Sequence, residues 1–196
     1  MKTRLLIIII AAISVGALSF ILSSFQDEGC TSTGRGDENM PILQQFGGKQ
    51  ASTLEEATAI AGHDIKAPKY LPPEYKIRNI SISDSRIVIL ASKYPVTNDT
   101  RYDYYVFQDK GIIIYYDYLT EMDHSNFIKS FLDNTPKVWK KFDVNGMPAL
   151  GYETTRQQDT TACFVAILQF YQNQTSIMIT GLFSTDELIK IASGIG

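Results

Sequence analysis

Two histidines, two cysteines and one small knot of acids are the residues of this chain best suited to metal or acid–base chemistry. His63 and His124 are far apart, and neither has ligand spacing to another His or Cys. A zinc site normally needs such spacing, so no metal is expected. Asp117, Glu121, Asp123 and His124 gather where a strand gives way to a helix. Hard oxygens in that pattern suit a weak Ca²⁺ site. The same pattern describes a solvated turn in which Asp123 caps the helix, and we read it so. The G-x-S-x-G elbow and the Gly-rich phosphate loops are absent. With no catalytic set to name, the chain is read as a non-enzyme without cofactors.

Tyrosines offer the more distinctive pattern. Tyr102, Tyr104, Tyr105, Tyr115, Tyr116 and Tyr118 fall on two adjacent predicted strands. Tyr104, Tyr116 and Tyr118 on one face would make an aromatic platform for a sugar, a peptide or a lipid. Tyr is also an ordinary half-buried strand residue, which is the simpler account.

Asn79-Ile80-Ser81, Asn98-Asp99-Thr100 and Asn173-Gln174-Thr175 are glycosylation sequons, making Asn79, Asn98 and Asn173 the acceptor candidates. Cys163 falls in a predicted core strand and Cys30 near the amino-terminal apolar run. A buried thiol beside a free one is favoured over a bond between them, and intermolecular pairing through Cys30 is a third option. Arg35-Gly36-Asp37 matches an adhesion tripeptide, at a length that chance supplies easily.

Residues Leu5 to Leu22 read LLIIIIAAISVGALSFIL without a charge. As a helix this run would cover about 27 Å, enough for a bilayer core. Lys2 and Arg4 precede it while Asp27 and Glu28 follow, so the positive-inside rule places everything after Leu22 outside the cytoplasm. A retained signal-anchor fits the run's length best. Cleavage at Ala17-Leu18-Ser19 would instead secrete the protein, and lipidation at Cys30 is a third fate. Beyond the run stand 16 basic and 21 acidic residues. That acidic balance argues against nucleic acid, which needs clustered cations to release counterions. The densest basic group, Lys137, Lys140 and Lys141, reads as the solvated face of a strand.

Around these residues the elements divide the chain into a cytoplasmic stub (1–4), the transmembrane anchor (5–22), a flexible linker (23–50) and a folded domain (51–196). Ser52-Thr53-Leu54-Glu55-Glu56 offers overlapping capping boxes, Leu54, Ala57, Ile60 and Ala61 form an apolar stripe, and Gly62 stops the helix. Pro68, Pro72 and Pro73 force the next stretch into an extended strap. Strands are expected over 76–81, 85–92, 102–108, 111–119, 138–144, 147–154, 162–171 and 174–180. Turns at 83–84, 109–110, 145–146 and 172–173 pair them as hairpins, with Asn145-Gly146 the strongest signal. Helices are expected over 124–134, ended by Pro136, and after the Ser184–Glu187 capping box. Tight hairpins with segregated helices mean α+β: an antiparallel sheet of about eight strands with N-terminal, inserted and C-terminal helices packed on it. Apolar on both faces, 162–171 is placed centrally, beneath the helices.

The Leu-Glu-Glu-Ala helix, Gly62, Pro68-x-Tyr70-Leu71-Pro72-x-x-Tyr75, the pair around Val144-Asn145-Gly146 with Ala149, and the closing Thr-Asp-Glu-Leu-Ile helix carry a resemblance. Over Ser52 to about Ser193 the chain resembles an uncharacterised extracytoplasmic family, domain of unknown function 4367. Its members follow a membrane segment, in lipoproteins or in proteins like anti-sigma factors. The resemblance implies an extracytoplasmic domain and no catalytic residues. With only the stub before the anchor, direct sigma-factor control is not expected.

Anchor, linker and missing chemistry together point to a membrane-anchored module that binds or senses an extracytoplasmic protein or small ligand. The alternatives are a carrier of a lipid or other apolar molecule, and a structural protein of the cell envelope.

Overall fold

The computed structural model describes residues 40–102, 105–106, 110–118, 126, 139–158 and 161–196, with the backbone alone over 154–158 and 161–165. Eight strands form one antiparallel sheet: β1 (Lys49–Ala51), β2 (Lys76–Ile82), β3 (Arg86–Ser92), β4 (Ile112–Tyr118), β5 (Lys140–Val144), β6 (Met147–Gln158), β7 (Thr161–Gln172) and β8 (Thr175–Gly181). The spatial order is β1-β2-β3-β4-β8-β7-β6-β5. Two four-strand meanders therefore meet at the centre, where β4 pairs with β8 from Ile112↔Gly181 to Tyr118↔Thr175. Helices α1 (Ile42–Gln45), α2 (Leu54–Ala61) and α3 (Thr185–Ser193) complete the α+β fold.

Local signals account for most element boundaries. The Glu56 amide donates to Thr53 Oγ1 (3.2 Å) while the Ser52 amide donates to Glu56 Oε2 (2.9 Å), capping α2 at both ends of its first turn. Gly62 closes it at φ 75°, left-handed backbone that suits glycine. Asn145 (φ 53°) and Gly146 (φ 81°) form the tight β5–β6 turn. The Glu187 amide donates to Ser184 Oγ (3.3 Å) to open α3.

Each face of the sheet carries its own apolar core. One, beneath α2 and α3, gathers Ile80, Ile89, Ile112, Ile114, Leu168, Phe170, Ile179 and Leu188. Residues 65–75 cross it as the expected strap, tied by Lys69 N–H to Gly194 O (3.0 Å) and Tyr75 O–H to Lys110 O (2.8 Å). The opposite face buries Leu90, Tyr105, Ile113, Leu150 and Ile167, with Ile42 of α1 packed among them.

Three expectations change. The alternation over Tyr102–Gln108 predicts a strand paired with β4, yet Tyr102, Tyr105 and Val106 are helical, and the Tyr105 amide donates to Arg101 O (2.9 Å). Both edges of β4 are taken, by β3 and β8, which leaves that segment no place in the sheet. Its Tyr105 instead inserts its ring beside Gly111 and donates to Ala91 O (2.6 Å) and Ile112 O (3.0 Å). The eighth strand is β1, inside the stretch read as linker, which pairs with Ile80–Ile82. The ordered fold therefore begins before residue 51, with α1 and β1. Finally, β7 lies beneath α3 but one strand off the central β4–β8 pair. The helix expected over 124–134 lies outside the described residues except Asn126, which is helical.

Candidate functional site

Polar and aromatic side chains collect at the end of the sheet where β3 begins, β4 ends, β8 begins and β7 ends. Register sets them in a row: Arg86 opposes Asp117, Asp117 opposes Ser176, and Ser176 opposes Tyr171. Because side chains alternate along a strand, these four share the face away from α2 and α3. Arg86 Nε–H donates to Asp117 Oδ1 in an ion pair, and its guanidinium lies 5.8 Å from the Tyr115 ring centre. Phe46 also meets Tyr115, its ring edge-on at 5.8 Å. Burial pushes the Tyr115 phenol well above its ordinary pKa, with Tyr102 adding to the shift, so it stays protonated at neutral pH.

Next to this row sits Gln169, flanked in register by Leu150 and Met178. Its Nε2 donates to Ser176 Oγ (3.0 Å), and both residues are buried, at 8% and 3% exposure. Its Oε1 is enclosed and accepts no hydrogen bond among the described residues. An enclosed carbonyl left without a donor costs about 1–3 kcal/mol.

On the α2 side of the same end, His63 and Tyr118 meet with rings 5.3 Å apart and nearly perpendicular. His63 Nδ1 lies 3.1 Å from Ala61 O, which can only accept, so Nδ1 carries the proton of the neutral ring. Its Nε2 then accepts from the Tyr118 hydroxyl at 2.9 Å.

The expected site residues scatter over this frame. Tyr104 lies outside the described residues. Tyr116 and Tyr118 share the helix-covered face, but Tyr116 is only 3% exposed and donates to Lys66 O beneath the strap. Burial raises its pKa as well, and Tyr118 keeps one partly open ring. Of the acidic cluster, Asp117 is engaged by Arg86, while Glu121, Asp123 and His124 lie outside the described residues. No group of three or more His, Cys, Asp or Glu placed to hold a metal occurs among the described residues. Asn98 and Asn173 are exposed in turns, whereas Asn79 is 8% exposed within β2. Lys140 and Lys141 are exposed on the edge strand β5. Cys30, the side chain of Cys163 and residues 5–22 fall outside the described residues. No described helix is long and apolar enough to cross a membrane.

Sequence reasoning missed Arg86, Ser176 and Gln169. Gln169 did leave a signal, as the lone amide in the apolar run Val165-Ala166-Ile167-Leu168-Gln169-Phe170-Tyr171. Arg86 and Ser176 left none, because only pairing across three strands aligns them.

Asp117 is tied to a guanidinium, and the neighbour of the Ser176 hydroxyl is a neutral amide, which cannot take its proton.

A family model described as Domain of unknown function (DUF4367) matches residues 65–195. The chain belongs to this family. The DUF4367 match takes in the strap, β2 to β8 and α3, and leaves α1, β1 and α2 ahead of it. The sheet end described above is thus built almost wholly by the family's own elements, with Phe46 and His63 added from outside the match. No curated protein matches the chain.

Proposed function

We propose that this member of DUF4367 is a non-catalytic binding module, displayed outside the cytoplasm on residues 5–22 as a membrane anchor. The apolar run with Lys2 and Arg4 before it supports the anchor. One observation carries the binding reading: Gln169 Oε1, an enclosed acceptor without a donor, beside Ser176 and the Arg86–Asp117 pair. A ligand N–H or O–H brought to that oxygen relieves an existing desolvation cost, so it gains more there than at a wet surface. Tyr115 and Phe46 supply flat apolar contact alongside. The ligand class is therefore a small polar molecule, or a partner's side chain, that presents a donor. Side chains of the chain itself fill the cores on both faces, which favours this reading over the carriage of a lipid.

The test is native mass spectrometry of the full chain released gently from membranes. A bound mass in the parent chain is expected, and its loss from Gln169→Leu while thermal stability is kept or raised. The reading fails when the parent carries no ligand or partner, or when Gln169→Leu retains the ligand unchanged.

A further inference from the structure

Asn145 and Gly146, the turn between β5 and β6, carry a chemistry of their own in that order. In an Asn-Gly pair the glycine amide nitrogen can attack the asparagine side-chain carbonyl. A bond forms from Gly146 N to Asn145 Cγ while the Cγ–Nδ2 bond breaks. Nδ2 leaves as ammonia with the proton of the Gly146 amide. Water then opens the cyclic imide at either carbonyl, giving aspartate or isoaspartate. Glycine favours the attack because it sets no side chain beside the nitrogen. Nothing stands within 4 Å of where a β-carbon on Gly146 would be, and both residues are exposed to water.

Burial therefore does not protect this pair, but three features of the fold oppose the attack. The leaving nitrogen, Asn145 Nδ2, donates to Ser193 O (2.9 Å) on the last residue of α3. The attacking nitrogen, Gly146 N, donates its proton to Asp143 Oδ1 (2.9 Å). Left-handed backbone at both residues, φ 53° and 81°, holds the turn in one shape. Attack needs the nitrogen aligned about 3–3.5 Å from the carbon. A side chain tied to α3 and an amide committed to Asp143 are not free to take that geometry. The tie to Ser193 spans 48 residues, so it lasts only while α3 is docked.

We propose that Asn145 is a deamidation site, kept closed by docked α3 and opened when the helix end lets go. Either product carries a carboxylate where the Nδ2 donor stood. A carboxylate cannot donate to Ser193 O, and here it meets both the negative end of the α3 dipole and Asp143. The change is one-way: a chain whose α3 has opened long enough to react docks that helix less firmly afterwards. The strap is affected too, because Lys69 N–H bonds to Gly194 O at the same helix end (3.0 Å).

The test incubates the full chain in mildly alkaline buffer, folded and in guanidinium chloride, and follows conversion by mass spectrometry of tryptic peptides. Cleavage after Lys141 and Arg156 yields residues 142–156, in which Asn145 is the only amide side chain. The mass gain of that peptide therefore reports this site. Conversion is expected in denaturant, and at least about tenfold more slowly in the folded chain, where reaction waits on local opening. Asp143→Ala frees the Gly146 amide and should speed the folded reaction several-fold. Ser184→Ala weakens the cap of α3 and should speed it about fivefold. Each variant is compared with its own rate in denaturant. Asn145→Asp reads the consequence: the circular dichroism should be kept while the amides of α3 exchange faster than in the parent. Equal rates folded and denatured, or no gain from Ser184→Ala, overturn the guard by α3. No conversion in denaturant removes the site. A slower reaction in Asp143→Ala would mean that the carboxylate assists the attack, and unchanged exchange in Asn145→Asp would refute the one-way loosening.

Discussion

The hydroxyl of Tyr70, on the strap, lies 2.6 Å from Glu187 Oε1, on the first turn of α3. Lys190 Nζ reaches the other oxygen of the same carboxylate at 3.0 Å. One half-buried carboxylate thus joins the strap to the closing helix. The Tyr70 hydrogen bond is the main reason the Glu187 carboxyl titrates below its ordinary range, with Lys190 adding to the shift. The same contact raises the Tyr70 phenol.

A pH dependence follows with a definite sign. A folded-state carboxyl held low contributes stability above the unfolded value, and loses it as pH falls through the folded one. The contribution should therefore be intact above pH ~4.3 and fade below it. Solvent screening keeps it small, because Tyr70 is 37% exposed and the Glu187 side chain 21%. Thermal melts between about pH 6 and pH 3 should show Tyr70→Phe losing less stability on acidification than the parent chain. A Tyr70→Phe curve parallel to the parent's would mean the contact does not hold in solution.

The ring of Tyr105 occupies the space a side chain on Gly111 would need, its Cε1 only 2.1 Å from where a β-carbon would stand. Gly111→Ala should cost about 1–3 kcal/mol through overpacking. Most of that cost should vanish when the substitution is made in a Tyr105→Ala background, since the ring is then gone. Denaturant unfolding of the double-mutant cycle measures the coupling, and additive costs would contradict the packing described.

Gly48 turns the chain into β1 at φ 73°, and a β-carbon there would stand 2.2 Å from Ile82 O. Backbone cannot yield as a flexible side chain can, so Gly48→Ala should detach β1 from β2. The expected signature is faster amide exchange confined to Lys49–Ala51 and its partners Ile80–Ile82. Unchanged protection at those amides would refute it.

Capping offers a local measure of α2. Thr53→Ala removes the acceptor for the Glu56 amide and should cost about 1 kcal/mol, with Thr53→Ser retaining most of the stability. Equal losses in the two variants would show that the hydroxyl is not the cap.

Sequon chemistry depends on the fold. Expressed through a glycosylating secretory route, the chain should carry glycans at Asn98 and Asn173, both exposed in turns. Asn79, 8% exposed and bonded by the Ser81 hydroxyl at 3.4 Å, should stay bare. Mass spectrometry of glycosidase-treated peptides reads this directly, and a fully occupied Asn79 would contradict its placement in β2.

Much of the architecture was legible in the sequence because its signals are local. Thr53 and Ser184 with their glutamates, Gly62, Asn145-Gly146 and the proline strap each act within a few residues, and each stands where the pattern placed it. The α+β class followed from those hairpins and caps. Tyr102–Gln108 misled for an instructive reason: its alternating tyrosines suit a strand, but whether a strand forms depends on a free neighbouring edge. Both edges of β4 were already filled, one of them by β8, more than fifty residues away in the chain. The short run Lys49–Ala51 is too brief to announce itself, and becomes β1 only because β2 offers it a partner.

For function the division is sharper. By itself the sequence determined an apolar run with its charges on one side, a domain without a legible catalytic or metal motif, and a family resemblance that the match over 65–195 bears out. Only the tertiary structure decided that Tyr116 is buried under the strap, and that Arg86, Asp117 and Ser176 form one row beside an unpartnered Gln169 oxygen. The physical reason is the same throughout. Caps and turns are interactions between near neighbours in sequence, whereas a row across β3, β4, β8 and β7 exists only once strands from both halves of the chain pair at the centre of the sheet.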